Sequence, residues 1–146
     1  MARLIILATV AFITGWGPFL ILSGGELDGT VTPVPANWSF TDSIDTVQFE
    51  TRPDDPYSVN IWMIALPEGA YVHAGANRAT WVENIEADPS VRLRVGENIY
   101  LLKADRVTDG DEFARFSDAY EKKYDRRPRN ENVAEAYLFR LTARDE

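Results

Sequence analysis

Arg78 and Thr80 stand where this chain best combines groups that bind an anion, in the run Ala74-Gly75-Ala76-Asn77-Arg78-Ala79-Thr80-Trp81. The run reads as the end of a strand, a loop of small residues and the start of a helix. A helix amino terminus presents unpaired N–H groups and a partial positive charge, an arrangement that suits phosphate. Arg78 adds a forked donor set and Thr80 a hydroxyl, and Arg52 and Arg92 could join from neighbouring strands. A plainer reading stands beside this one. Thr80 caps its own helix, Glu83 three residues later completes a capping box, and Arg78 is solvated.

Other chemistry-bearing residues also have two readings. His73 is an acid–base group or haem ligand, or a hydrogen-bonded structural residue at a strand end. Trp62 and Trp81 stack on a planar ring, or belong to the core. Asp109-Gly110-Asp111-Glu112 has the composition of a calcium loop but not its ligand spacing, so helix capping is expected. Arg126-Arg127-Pro128-Arg129 is a solvated loop or a contact with anionic headgroups. No Ser-His-Asp set, Walker loop or catalytic carboxylate pair stands out. One histidine and no cysteine leave no imidazole cluster, thiolate metal site, disulfide or lipoprotein anchor. The net charge of −8 argues against nucleic acid as a partner.

These groups need a scaffold, and the chain begins with something else. From Leu4 to Leu22 there is no charged residue, and a helix of that length spans the roughly 30 Å hydrocarbon core of a bilayer. Residues 1–23 are therefore expected to form a single transmembrane anchor. The alternative is a signal peptide, although Ser23-Gly24-Gly25 lacks an Ala-x-Ala pattern. Arg3 places the amino terminus in the cytoplasm and the domain outside it. Residues 24–37, rich in Gly, Pro, Thr and Val, read as an extended linker, and residues 38–146 as one domain.

Within that domain Thr46–Thr51 alternates as a half-buried strand. A turn over Arg52–Pro56 leads to a second strand, Tyr57–Ile64, with Tyr57, Val59, Ile61 and Met63 on one face. A turn at Pro67–Gly69 leads to a third, Ala70–Ala74. A short helix from Thr80 stops at Pro89. Val91–Val95 and Ile99–Val107 form a hairpin about Gly96-Glu97-Asn98. A second helix starts near Asp109 or Asp111, with Phe113, Phe116, Tyr120 and Tyr124 as its apolar stripe. Residues 126–132 make a polar loop before a last strand, Tyr137–Leu141. Short antiparallel strands around two helices predict a mainly β fold, a small barrel.

The segment Thr80-Trp81-Val82-Glu83-Asn84-Ile85-Glu86-Ala87-Asp88-Pro89-Ser90-Val91-Arg92-Leu93 resembles the FMN-binding split-barrel superfamily. That group includes the pyridoxamine-phosphate-oxidase-like proteins and the deazaflavin-dependent nitroreductases. In them a Trp or basic residue precedes Asn-Leu/Ile, followed by Ala-Asp/Asn-Pro-x-Val. The element order agrees over residues 40–141, and only the quoted segment is distinctive. The resemblance implies a split β-barrel, a homodimer and FMN or a deazaflavin at the subunit boundary. Arg78 and Thr80 would hold phosphate just ahead of Trp81. Asn60 and Trp62 would face the ring or ribityl chain, with His73 and Ala74 nearby. The expected function is a membrane-anchored flavin- or deazaflavin-dependent oxidoreductase in which the cofactor carries the hydride chemistry. The rival is a non-catalytic split-barrel module that binds a ligand or partner on the envelope surface.

Overall fold

A computed structural model describes residues 24–75 and 78–145. The expected transmembrane anchor lies outside the described residues, among which no helix is long and apolar enough to cross a membrane. The strands are β1 (Thr30–Val31), β2 (Val47–Thr51), β3 (Tyr57–Ile61), β4 (Ile64–Leu66), β5 (Gly69–His73), β6 (Ser90–Val95), β7 (Asn98–Arg106) and β8 (Leu138–Ala143). The helices are α1 (Thr80–Ala87) and α2 (Gly110–Tyr124), and a 3₁₀ turn covers Ser39–Ser43.

Strand order in the sheet is β3-β2-β6-β7-β8-β5-β4, with β1 running parallel to the start of β7. The two outermost strands, β3 and β4, are consecutive in the chain and separated only by Trp62 and Met63. The antiparallel sheet must therefore curl until its edges nearly meet, forming a half-barrel. Its seam is Trp62–Met63.

That seam interrupts the single strand expected over Tyr57–Ile64. Apolar alternation runs straight through it, so periodicity gives no sign of the break. What replaces the ladder is α2. Met63 N–H donates to Tyr124 Oη at 3.3 Å, and Lys123 Nζ donates to the carbonyls of Met63 at 2.9 Å and Thr41 at 3.0 Å.

The other elements follow their local chemistry. Along β6, Val91, Leu93 and Val95 point inward while Arg92 and Arg94 face out. The β6–β7 hairpin turns on Gly96, whose φ of 61° is the left-handed value that a two-residue loop requires. Asp109 caps α2, accepting from Asp111 N–H at 2.7 Å and Glu112 N–H at 3.4 Å. The acidic run 109–112 is thus a capping device, as its spacing implied. In α1 the cap residue is Ala79, which contributes no side-chain bond, and Thr80 is the first helical residue. The expected capping box is therefore one residue out of register. Burial of Trp81, Val82 and Ile85 against the sheet sets where this helix starts.

Two apolar clusters result. One lies under α1 and includes Phe49, Trp81, Leu93, Leu102 and Phe139. The other lies under α2 and includes Ile64, Tyr71, Phe116, Tyr120 and Leu138.

Residues 24–37, expected as a linker, are fastened along the sheet at several points and supply β1. Gly24 and Ser58 exchange backbone hydrogen bonds of 2.9 and 2.8 Å. Leu27 N–H donates to the buried Glu50 carboxylate at 2.7 Å, and Arg94 donates to the Asp28 carbonyl at 3.0 Å. Thr30 and Thr32 N–H donate to the Glu97 and Ile99 carbonyls, each at 2.8 Å. At Gly29 a Cβ would lie 2.6 Å from the Glu97 carbonyl oxygen, so only glycine permits this approach.

Candidate functional site

The end of β5 delivers His73 to the wall of two hollows. The first, about 250 Å³, is lined by His73, Ala74, Gly75, Tyr120, Arg126, Arg127 and Arg129. The second, about 380 Å³, is lined by Thr46, Asn60, Ile61, Trp62 and His73. Antiparallel pairing of β5 with β8 fixes His73 opposite Leu138, and α2 closes over it. One hollow is walled by guanidinium groups, the other by the seam of the half-barrel.

His73 sits edge-on to Phe116 and to Tyr120, with both ring centroids 5.1 Å away. Burial among these rings pushes its pKa down to about 4, so the imidazole is neutral at pH 7. It can donate one hydrogen bond and accept another, but it adds no cation. In the unfolded chain it would titrate near 6.5, so between that pH and about 4 the unfolded state binds more protons. Stability is therefore full above the window and falls as pH drops through it, by about 2 kcal/mol by pH 5. His73→Phe is expected to flatten this dependence. Urea unfolding at a series of pH values checks it, and an unchanged slope would contradict the burial of this ring.

Trp62 is 38% exposed and lies flat on Tyr124, with centroids 4.2 Å apart and planes within 8°. Tyr124 is itself fixed, donating from Oη to the Asp45 carbonyl at 2.9 Å, and burial raises its phenol to about 12. The Arg126 guanidinium lies 6.0 Å from the Trp62 ring. Arg126 thus lines the first hollow and approaches a ring that lines the second.

The three arginines differ in what they touch. Arg127 engages Asp118 at 3.1 Å, Glu121 at 3.0 Å and Glu131 at 2.6 Å. These carboxylates raise its pKa further and occupy its donors. Arg126 and Arg129 have no carboxylate partner among the described residues. They are the charges left to face an anion.

Four of the residues singled out from the sequence come together here: His73 and Ala74 in the first hollow, and Asn60, Trp62 and His73 in the second. Asn60 Oδ1 accepts from Gln48 Nε2 at 3.2 Å. Three others line neither hollow. Arg78 pairs with Glu86 and lies 3.8 Å from Glu83. Thr80 opens α1, and Trp81 is buried edge-on to Phe49 at 5.4 Å and to Phe139 at 5.8 Å. Arg92 is held by Glu50 at 3.2 Å and Arg52 by Asp55 at 3.3 Å, so neither is available to join Arg78. Tyr120, Arg126 and Arg129 are the additions. Their signal in the sequence is an arginine run in an acidic chain, placed directly after an aromatic helix stripe.

A model of the family described as F420H(2)-dependent quinone reductase matches residues 61–133, half of the chain. That span contains Trp62, His73, Tyr120, Arg126 and Arg129. Among solved structures the fold is similar to that of Campylobacter jejuni ChuZ, with a TM-score of 0.56 and 14% identity over 73% of this chain and 50% of that one. It is also similar to a protein from Bacteroides thetaiotaomicron described as a 5-nitroimidazole antibiotic resistance protein. There the TM-score is 0.53 at 14% identity, over 70% of this chain and 75% of that one. At such identity the likeness is one of fold, and the chain spans only half the length of ChuZ. No curated protein sequence matches significantly.

Proposed function

The chain belongs to the F420H(2)-dependent quinone reductase family, and from that premise we propose that it is a deazaflavin-dependent oxidoreductase whose cofactor spans the two hollows that share His73. The observation that carries this reading is that His73 lines both hollows. A deazaflavin joins a planar ring, through a polyol chain, to an anionic tail. The chain offers an aromatic wall, a neutral polar joint and an arginine-lined cleft in that order. The residues therefore fit the group.

In this reading the ring lies against Trp62 and Ile61, with the Asn60 amide at its polar edge. Tyr124 holds the Trp62 plane, so the wall is set before the ligand arrives. His73, kept neutral, offers hydrogen bonds to the polyol or ring edge without drawing the anionic tail inward. Arg126 and Arg129 take the tail's negative groups. The deazaflavin, when bound, supplies the hydride chemistry; the chain supplies binding and orientation. The family points to a deazaflavin rather than FMN. The same proposal keeps residues 1–23 as a single membrane span, supported by the uncharged run Leu4–Leu22, and the homodimer that the split-barrel resemblance implies.

The test is a fluorescence titration of the purified full chain with the deazaflavin and, separately, with FMN. A turnover assay follows, using the reduced deazaflavin and a soluble quinone, the acceptor class in the family description. Saturable deazaflavin binding with quinone-dependent oxidation is expected. Binding without oxidation would leave the non-catalytic module, and binding of neither cofactor would remove the oxidoreductase reading altogether.

A further inference from the structure

We infer that Arg127 is a positioning residue: it fixes the loop after α2 so that Arg126 and Arg129 face the anion, and holds no part of the ligand itself. This rests on the anion site proposed above.

The loop leaves α2 through Asp125, whose φ of 56° turns the chain out of the helix just before Arg126. Arg127 then reaches back along α2 to Asp118 and Glu121, and across the loop to Glu131 through both Nε, at 2.7 Å, and Nη2, at 2.6 Å. One guanidinium thus ties the last turns of the helix to the far limb of the loop. Pro128 fixes the backbone between Arg127 and Arg129. Beyond it, Asn130 Oδ1 accepts from Asn132 N–H and Asn132 Oδ1 accepts from Ala134 N–H, so the far limb has local order of its own.

Counting charge alone would misjudge this corner. Arg127 with its three carboxylates sums to −2, which repels an anion. The cluster favours binding only through geometry, by holding the two flanking arginines towards the cleft. The two effects have opposite signs when a carboxylate is removed, and this separates them. The pairs are exposed, with Arg127 itself 44% accessible, and exposed ion pairs add little to global stability. Loss of the tie should therefore show in binding and not in melting.

The experiment is the deazaflavin titration at fixed ionic strength, on the full chain and five variant sets. Arg127→Gln is expected to raise Kd about fivefold to tenfold. Arg127→Lys, which keeps the charge but not the fork, should fall close to it. Glu131→Gln should also raise Kd, although it removes a negative charge. Melting temperatures should stay within a degree or two of the parent, as expected for exposed pairs. The triple variant Arg126→Gln/Arg127→Gln/Arg129→Gln should bind no more weakly than Arg126→Gln/Arg129→Gln, because a residue acting only through those two has nothing left to position. Tighter binding by Glu131→Gln, or a full further loss in the triple variant, would overturn the inference and make Arg127 a charge or a direct ligand. A loss in Arg126→Gln/Arg129→Gln with none from Arg127→Gln would overturn it while leaving the site standing. Absence of saturable binding by the parent chain would overturn both.

Discussion

Phe116→Ala is expected to lower the free energy of unfolding by about 3–5 kcal/mol, the range for deleting a fully buried ring. Phe116 is 1% exposed and is the hub of the cluster under α2. Its centroid lies 6.3 Å from Tyr71, 6.0 Å from Phe113, 5.7 Å from Tyr120 and 5.1 Å from His73. Removing it opens a cavity that these neighbours cannot close, because Tyr71 is tied by its hydroxyl to Glu112. The effect reaches the site, since His73 rests on this ring. Urea denaturation measures the loss. Unchanged stability would mean that the stripe of α2 does not face the sheet.

Glu50→Ala is expected to destabilise by about 2–3 kcal/mol, because it leaves the Leu27 N–H buried without its acceptor and takes from Arg92 its nearest carboxylate, with only Glu26 left at 3.8 Å. Glu50 is 3% exposed, its oxygens both 3.2 Å from Arg92 Nη1, and it accepts from Leu27 N–H at 2.7 Å. Arg92 is 19% exposed, so part of its charge finds water and the loss stays below the full buried-pair value. The larger consequence is local. Without the carboxylate, the strap from Gly24 to Val31 loses its central fastening, and limited proteolysis should cut there before the sheet unfolds. Equal resistance of parent and variant, with equal stability, would show that Glu50 does not hold the strap.

Glu50 also shows where the sequence stops being informative. Its place in Thr46–Thr51 suited an outward position on a half-buried strand. It is buried because β2 pairs with β6 in a register that sets Glu50 against Arg92, and because the strap then covers both. Neither event is local to the strand. The residues that did read correctly had local causes. Gly96 alone permits its hairpin, Asp109 alone caps α2, and the alternation of Val91, Leu93 and Val95 survives because one face of β6 packs on the core. The segment 80–93 carried the family resemblance, and the α1-to-β6 connection it encodes is present as expected.

The lining of the two hollows was legible in part for the same reason. His73, Ala74, Asn60 and Trp62 lie on or beside strands whose ends the turns predict. Arg78 read as an anion ligand because it precedes a helix, yet Glu86, two turns along that helix, takes its guanidinium. Arg126 and Arg129 lie exposed in the loop that the sequence implies; that this loop also lines a hollow is not legible, because nothing in a linear chain says that the end of α2 returns to the seam at Trp62–Met63. That return follows from the curl of the sheet, which only the full topology reveals.

The most direct measurement is the deazaflavin dissociation constant of Arg126→Gln/Arg129→Gln beside that of Arg78→Ala. The account predicts a loss of about a hundredfold for the double variant, from two charge-assisted contacts, and a change within about twofold for Arg78→Ala, whose charge is already paired. Strong loss in Arg78→Ala with the double variant unaffected would contradict it, and would put the anion at the start of α1 instead.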